Sequence, residues 1–248
     1  MVCNFQQFNP QQRRGKLNAR QIWKVAADEL DCDNVFYNMR PGEKLDTAVT
    51  VLIDESGSMK NIMHNVVNVA MIVAEALHGT KIPFYMMGHT TTEEIRYEGS
   101  KNFDRHNPLL LPIYKEWNES WVNVCPRLMA ASGKANNCDV EAVNYAYETL
   151  KNRKEKRKIM IVLSDGQPNC GNRDGSKMTN ALKPTLEKMR KSGVEIYNIA
   201  LDSDRPIQFY GREWSIRLNV EDDGFGHDFA KRITDIIMAG RFNLGKAA

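Results

Sequence analysis

Residues Ala48 to Met59 read AVTVLIDESGSM, and this stretch decides the fold. It begins with β-branched and aliphatic residues, Val49 to Ile53, a pattern typical of a buried strand. Asp54, Ser56 and Ser58 follow at alternate positions, and a helical periodicity begins directly after them. A carboxylate and two hydroxyls are hard oxygen ligands, which suit Mg²⁺ because it keeps several waters and takes few protein ligands. The stretch therefore predicts a magnesium site at the end of a strand.

The composition favours an ordinary globular α/β protein. The chain has 248 residues, of which 42% are hydrophobic and 26% charged, and a net charge of +3, too small to predict nucleic-acid or membrane binding. No apolar run approaches the roughly 18 residues that a membrane helix needs, and the N-terminus lacks the apolar segment of a secretory signal. The five cysteines are scattered, which argues against a disulfide framework or zinc site and predicts a cytoplasmic location.

The start of the chain differs from the rest. Residues 1–16 are polar and Gln-rich and end in basic residues, so we expect a flexible basic arm before a single domain over residues 17–248. Early in that domain the pattern predicts a helix, Ala19 to Leu30, and a strand, Asn34 to Arg40, which a turn at Pro41-Gly42 joins to the central strand as a hairpin. Residues 99–137 lose periodicity, which predicts an irregular insertion with one helix, Glu119 to Ala131.

Apolar runs and helical periodicities alternate along the remaining chain. Strands are predicted at Val49 to Ile53, Ile82 to Met87, Glu93 to Glu98 (an edge), Lys158 to Leu163, Val194 to Leu201 and Trp214 to Val220. Helices are predicted at Ile62 to His78, Asp139 to Leu150, Lys177 to Lys191 and Phe225 to Met238. This alternation predicts an α/β fold with a doubly wound, mostly parallel central sheet and helices on both faces.

Two further features fall where a metal site would need them. Ser164-Asp165-Gly166 follows a second apolar strand, and Asp139 stands at the start of a helix. Ligands of parallel sheets bind beyond the carboxyl ends of the strands, so Asp54 and Asp165 can reach the same crevice. D-x-S-x-S alone also fits a strand followed by a Ser-rich helix cap, and these features favour the metal site over that reading.

These motifs together carry a family resemblance. The chain resembles von Willebrand factor A (VWA) domains with a metal-ion-dependent adhesion site (MIDAS), and among them the C-terminal VWA domain of the cobaltochelatase subunit CobT. The resemblance runs from about Gly15 to Leu201. It is carried by LDTAVTVLIDESGSM, GHTTTEE, NCDVEAVNYAYETL and KIMIVLSDGQP. It implies a Rossmann-like VWA fold.

The resemblance also implies a ligand set. The residues that match the metal loops of the family are Asp54, Ser56, Ser58, Asp139 and Asp165. Ser56 and Ser58 would bind directly, Asp54 directly or through water, and Asp165 through water. Asp139 falls where many VWA domains have threonine and the CobT-like branch has aspartate. The expected metal is Mg²⁺, with Mn²⁺ or Ca²⁺ as alternatives for the same oxygens. Thr90 and Thr91 are expected near the rim.

The implied function is that of a non-enzymatic, Mg²⁺-dependent adaptor. An acidic side chain of a partner would bind at the open position of the metal. The implied partner is an AAA+ ATPase of the MoxR/CobS type, which the adaptor couples to an unknown client, as in the cobaltochelatase of cobalamin biosynthesis. The chain has no G-x-x-x-x-G-K-[ST], so it is not itself the P-loop motor. Stand-alone CobT-like VWA proteins also occur in bacteriophages, so the cytoplasm is bacterial, or that of a host.

Two other functions remain open. Asp54 directly after a strand could be a phosphoryl-accepting nucleophile of a metal-dependent hydrolase or phosphatase, although such loops carry a second aspartate where this chain has Ser56. The basic run Lys151 to Lys158 could bind nucleic acid, although a solvated helix end is the simpler interpretation and nucleic acid is not an expected partner. The five histidines are spread out, and each is expected to be a surface or core residue. Trp117 and Trp121 could form a partner surface, although a local core in the insertion is the simpler interpretation.

Overall fold

In a computed structural model, the chain divides into two compact units, with the boundary between Leu45 and Asp46. The structure describes residues 6–12, 16–17, 36–41, 46–92, 108–166, 168–169, 175–219, 229–230, 232–234 and 236–237, with 6–41 and 175–179 described as backbone only. The boundary differs from the predicted one, which set residues 1–16 apart as an arm. The predicted helix Ala19 to Leu30, the edge strand Glu93 to Glu98 and part of the closing helix lie outside the described residues.

The first unit is a three-stranded antiparallel sheet. It consists of β1 (Gln6–Gln12), β2 (Lys16–Leu17) and β3 (Phe36–Pro41), in the order β1-β3-β2. Part of the predicted arm is therefore a strand, and its pairing with β3 shifts register between Asn9 and Gln12. The predicted hairpin between residues 34–40 and the central strand was wrong, because β3 pairs only with β1 and β2 among the described strands. Local alternation identifies a strand, but it does not identify the strand's neighbour.

The second unit contains a seven-stranded, mostly parallel sheet. Its strands are β4 (Thr47–Asp54), β5 (Phe84–Thr91), β6 (Leu109–Leu110), β7 (Ile113–Lys115), β8 (Arg157–Ser164), β9 (Val194–Leu201) and β10 (Ser215–Leu218). The order is β10-β9-β8-β4-β5-β6, and β7 also pairs with β5. The strands β10, β9, β8, β4 and β5 are parallel, whereas β6 and β7 are antiparallel to β5. This confirms the predicted α/β fold.

Helices alternate with these strands. They are α1 (Met63–Thr80), α2 (Trp121–Val124), α3 (Asp139–Lys151), α4 (Gly175–Lys191) and α5 (Ile207–Tyr210), with 3₁₀ turns at Gly57–Asn61, Cys125–Ala130 and Arg212–Trp214. α1 buries the predicted face, since Val66, Val69, Val73 and Leu77 are fully buried. Side chains of α3 and α4 pack in one core cluster with Leu52 of β4 and Met87 of β5. Burial of this kind provides most of the stability of such a helix.

The insertion contributes more to the sheet than its sequence indicates. Its described part supplies β6 and β7 and, where one helix from Glu119 to Ala131 was predicted, the short α2 followed by the 3₁₀ turn. Pro126 lies within that turn, and the missing N–H of proline disfavours a continuous helix. Trp121 is 2% exposed, and its indole N–H donates to Glu75 Oε1 at 2.7 Å. The Trp117 ring lies 5.7 Å from the Tyr85 ring and the Trp121 ring 5.8 Å from the Phe84 ring, both on β5. The predicted local core of the insertion was therefore wrong, because these aromatics pack on the central sheet.

The strand order creates one crevice. After β4 the chain continues towards β5, whereas after β8 it continues towards β9 on the other side. The loops that follow the neighbouring strands β4 and β8 therefore run apart, and the carboxyl ends of these strands border an opening. Asp54 ends β4, and Asp165 follows Ser164 at the end of β8.

Candidate metal centre

Four of the predicted ligands are linked at this opening. Ser56 and Ser58 lie with their hydroxyl oxygens 3.1 Å apart, and the Ser58 hydroxyl donates to Asp165 Oδ1 at 2.9 Å. The backbone N–H of Ser56 donates to Asp54 Oδ1 at 2.8 Å, in the Asx-type turn expected after a strand-end aspartate. Ser58 is exposed and Asp165 is half-buried, so their oxygens face an open cleft. Ser56, Ser58 and Asp165 are called the outer cluster below.

Asp54 lies behind the outer cluster and also contacts a second set of groups. It pairs in register with His89 of β5, so the two side chains project from the same face of the sheet. Asp139, at the first turn of α3, packs over the same face. One ligand atom each from Asp54, His89 and Asp139 lies within 4.8 Å of the others, and all three residues are buried. These three residues are called the inner cluster.

Asn137 is a site residue that the sequence interpretation missed. Its amide Nδ2 donates to Asp54 Oδ2 at 3.0 Å, while its Oδ1 accepts the backbone N–H of Asn169 at 2.8 Å. It therefore holds the Asp54 carboxylate in place and joins the loop before α3 to the loop after β8. The signal was weak, because an asparagine two residues before a helix is common in any loop.

The loop of residues 131–137 forms one wall of the site. The N–H of Gly57 donates to Ala135 O at 2.7 Å, and the N–H of Lys134 donates to Glu55 O at 2.8 Å. At Gly133 a Cβ atom would lie 2.6 Å from the backbone nitrogen of Lys60, so a larger residue would displace this wall.

The predicted rim position of Thr90 and Thr91 was wrong. β5 continues through both residues, and both are fully buried. The Thr91 hydroxyl accepts the N–H of Asn136 at 3.0 Å, so these threonines hold the 131–137 loop instead of facing solvent. The sequence interpretation ended the strand at Met87, because Gly88 is typical of a turn.

Glu55 supports the loop of residues 131–137, because its backbone oxygen accepts the N–H of Lys134. Glu55 is 1% exposed, accepts a hydrogen bond from the Tyr114 hydroxyl and lies against Gly88, where a Cβ atom would overlap its Oε1. Burial raises the pKa of Glu55, opposed by the hydrogen bond from Tyr114. Gly88 is therefore required for close approach of the Glu55 side chain.

The carboxyl groups of the site raise one another's pKa. Burial and the charge of Asp54 raise the pKa of Asp139 well above its usual range. Burial and the same charge raise the pKa of Asp165, opposed by the hydrogen bond from Ser58. Burial lowers the pKa of His89, opposed by Asp54. A cation between these groups would relieve the repulsion, and Asp139 Oδ2 has no hydrogen-bond partner among the described residues, so the site fits a divalent metal.

The cleft in front of the outer cluster has a volume of about 350 Å³. Its lining residues are Ser56, Gly57, Ser58, Ala135, Asn136, Asn137, Asp165, Gly166, Asn169 and Arg205. Arg205 is exposed and faces Asp165, whose pKa its charge lowers. The cleft is therefore polar, with a cationic side chain beside the predicted ligands.

Three of the six cationic side chains in the basic run form ion pairs. Lys151 pairs with Glu148 at 2.5 Å, Arg153 with Glu155 at 2.6 Å and Arg157 with Glu195 at 2.7 Å. These contacts support the helix-end interpretation over nucleic-acid binding. Among the described residues, no helix combines the length and the apolar character that crossing a membrane requires.

A parallel sheet with D-x-S-x-S after one strand, and an aspartate from the neighbouring strand beside it, defines a VWA-type domain. The solved structures agree with this fold. The vWF domain of the type V pili tip protein Mfa5 from Porphyromonas gingivalis superposes with a TM-score of 0.56 at 11% identity, covering 83% of this chain and 99% of that one. The SpRpn10 VWA domain superposes with a TM-score of 0.50 at 14% identity, covering 75% and 94%.

The family is shown by sequence. The profile described as "Cobalamin biosynthesis protein CobT VWA domain" matches residues 35–239, and the chain belongs to this family. The protein YojO of Bacillus subtilis (strain 168) is 24% identical over 170 residues, which are 68% of this chain and 26% of YojO. The chain thus spans about a quarter of that relative.

Proposed function

We propose that this chain is a non-catalytic, Mg²⁺-dependent adaptor, which binds an acidic side chain of an AAA+ ATPase of the MoxR/CobS type and couples it to a client protein. The observation that carries the proposal is the outer cluster, in which two hydroxyls and a carboxylate face an open polar cleft. Bound Mg²⁺ would supply a partly neutralised positive charge with an open position for a carboxylate. The same oxygens also suit Mn²⁺ or Ca²⁺.

The residues of the chain divide the work of this site. Ser56 and Ser58 supply neutral oxygens, which leave the metal's charge available to a partner's carboxylate. Asp54 and Asp165 supply the negative charge, and Asn137 orients Asp54. Asp139 adds charge from behind. The wall of residues 131–137 keeps these groups in place while a partner binds and leaves.

Arg205 supports the choice of an acidic partner. Its guanidinium lines the same cleft as Ser58 and Asp165, and the exposed Lys134 lies in the adjoining wall. An acidic peptide segment would therefore meet positive charge around the metal, which speeds association and favours carboxylates over basic side chains.

The cleft also supports a binding role over a hydrolase. The described residues that line it include no histidine, cysteine or lysine that could act as a base or nucleophile. Both oxygens of Asp54 accept hydrogen bonds, and the residue is fully buried, which does not suit a phosphoryl-accepting nucleophile. We further propose a cytoplasmic location, bacterial or in a phage host, from the scattered cysteines.

The test is capture of partners from native lysate by the full chain, in Mg²⁺ or in EDTA, followed by identification by mass spectrometry. Wild type is compared with Asp54→Ala and Ser58→Ala, and with Ser192→Ala as a matched exposed serine at the end of α4. We expect wild type and Ser192→Ala to capture an AAA+ ATPase in Mg²⁺ but not in EDTA. Capture of the same proteins regardless of metal and variant would contradict it. Phosphatase turnover that Asp54→Ala abolishes would instead favour the hydrolase.

A further inference from the structure

His89 occupies an unusual place for a histidine. It lies on β5, beside Asp54 of β4, and its side chain is 0% exposed. Neither Nδ1 nor Nε2 of its ring has a hydrogen-bond partner among the described residues. An imidazole always carries at least one N–H donor, and leaving such a buried polar group without a partner is destabilising. The protein keeps this group in a position where a leucine or phenylalanine would pack without that cost.

The groups around His89 are unsatisfied in the same way. Asp139 Oδ2 is buried and has no hydrogen-bond partner in the described part of the chain. The hydroxyl of Tyr210 is also without a partner among the described residues, and burial together with the charges of Asp139 and Asp54 raises its pKa. Unsatisfied buried polar atoms are rare in native proteins, and several around one point indicate an ion or water that these side chains surround.

The geometry selects a metal ion of a particular chemistry. One ring nitrogen and two carboxylate oxygens lie within 4.8 Å of one another. Ligands about 2.1 Å from one ion are separated by at most about twice that distance, so a small inward movement brings the three groups to bonding distance. Imidazole nitrogen suits first-row transition metals, whereas Mg²⁺ prefers oxygen alone.

We propose that Asp54, His89 and Asp139 bind a divalent transition-metal ion on the buried side of the site, with Asp54 shared between this ion and the outer cluster. The proposal does not require that the outer cluster bind a partner. It differs from the Mg²⁺ site in its nitrogen ligand and in its distance from solvent. The consequence is a metal preference, since the inner cluster binds Co²⁺, Mn²⁺ or Zn²⁺ more tightly than Mg²⁺.

Calorimetric titration of the full, chelator-treated chain with Co²⁺ and with Mg²⁺ tests this. His89→Gln removes the nitrogen ligand, and His78→Gln, an exposed histidine near the end of α1, is the matched control. We expect Co²⁺ to bind wild type and His78→Gln equally and His89→Gln at least about tenfold more weakly. Mg²⁺ affinity should stay within about twofold in all three. Equal Co²⁺ affinity in the three proteins would overturn the proposal.

A measurement on wild type alone covers the case in which His89→Gln does not fold. Co²⁺ is paramagnetic, so a bound imidazole gives strongly shifted proton resonances in the NMR spectrum that Mg²⁺ does not produce. We expect one such histidine in wild type and also in Ser58→Ala, which weakens only the outer cluster. Co²⁺ binding without shifted histidine resonances would overturn the proposal and would indicate that the inner cluster surrounds a water molecule or shares a proton instead. If the shifted histidine resonance persists in Ser58→Ala while wild type captures no partner, the inner metal site stands and the adaptor proposal fails.

Discussion

The outer and inner clusters meet at Asp54 but differ in everything around it. The outer cluster consists of oxygens that hydrogen-bond to one another and face an open cleft. The inner cluster is buried, contains a nitrogen and leaves His89 and Asp139 Oδ2 without partners among the described residues. If both proposals hold, one strand-end aspartate serves a solvent-facing binding site on one side and a buried polar pocket on the other. A ligand in the open cleft can exchange with solvent, whereas an ion held in the buried inner cluster would be retained.

The largest effect is expected from Asp54, which belongs to the inner cluster and lies directly behind the outer cluster. Asp54→Asn removes a negative charge from both proposed metal sites. The affinities for Mg²⁺ and for Co²⁺ should therefore each fall by more than about 100-fold, which is a larger loss than removal of a residue that only hydrogen-bonds a ligand would cause. Calorimetric titration of both metals measures this, with the exposed Asp204→Asn as control. Retention of either affinity would show that the two clusters do not share this ligand.

A substitution in the wall tests how far the outer cluster depends on its fixed geometry. Gly133→Ala would place a methyl group 2.6 Å from the Lys60 nitrogen and 2.8 Å from Ser56 O, so we expect a loss of about 2 kcal/mol in the free energy of unfolding. Urea unfolding measures it. Gly79→Ala is the control, because nothing lies within 4 Å of a Cβ there and alanine favours a helix. Equal effects of the two substitutions would show that the wall adapts.

Ser58→Ala separates the clusters. It removes one exposed oxygen of the outer cluster and its hydrogen bond to Asp165, so Mg²⁺ affinity should fall about tenfold, or about 1.4 kcal/mol. Stability without metal should change little, because the side chain is exposed. Titration of Ser58→Ala beside Ser192→Ala checks this. A loss of Co²⁺ affinity as large as that for Mg²⁺ would show a single undivided site.

The smallest effect is expected on the free energy of unfolding of the metal-free chain, which the inner cluster lowers. The pKa of Asp139 is raised in the folded chain, which therefore binds more protons than the unfolded chain between the ordinary and the raised pKa. Its contribution to the free energy of unfolding decreases as the pH rises through that window, and Asp139→Asn removes this decrease. In EDTA at pH 7 the variant should be about 1 kcal/mol more stable than wild type, with the difference shrinking towards pH 4.

Urea unfolding at both pH values measures the difference, with Asp204→Asn as the control, because Asp204 is exposed. A variant that is less stable than wild type at both pH values would show that the Asp139 charge is already compensated in the metal-free protein.

The sequence predicted what depends on local patterns and on strand ends. The apolar runs located β4, β8 and β9, and the strand-end rule brought Asp54 and Asp165 together correctly. It did not predict that β5 continues to Thr91, because the last residues of the strand pair with the end of β4 and with β6, a two-residue strand of the insertion. His89 was missed for the same reason. A strand that ended at Met87 would not place it beside Asp54.

Asn137 and the first unit were missed for another reason. Asn137 acts through partners more than 30 residues away in either direction, Asp54 and Asn169, and no local pattern encodes such contacts. The pairing of β1 with β3 likewise joins segments that are about 30 residues apart. Whether the ligand set binds a metal stays a prediction, as does the partner.

The hydrogen bond between Ser58 and Asp165 spans 107 residues of chain, and the 131–137 wall comes from a third segment between them. Closing such long loops is slow, so the site forms late in folding, after β4, β5 and β8 have paired. Asp54, Ser56 and Ser58 are neighbours in the sequence, but Asp139 and Asp165 join them only when the strands have paired, so a half-made chain holds an incomplete ligand set. In the proposed role, a newly made chain could therefore not bind a metal tightly or engage a partner through this site before β4, β5 and β8 have paired.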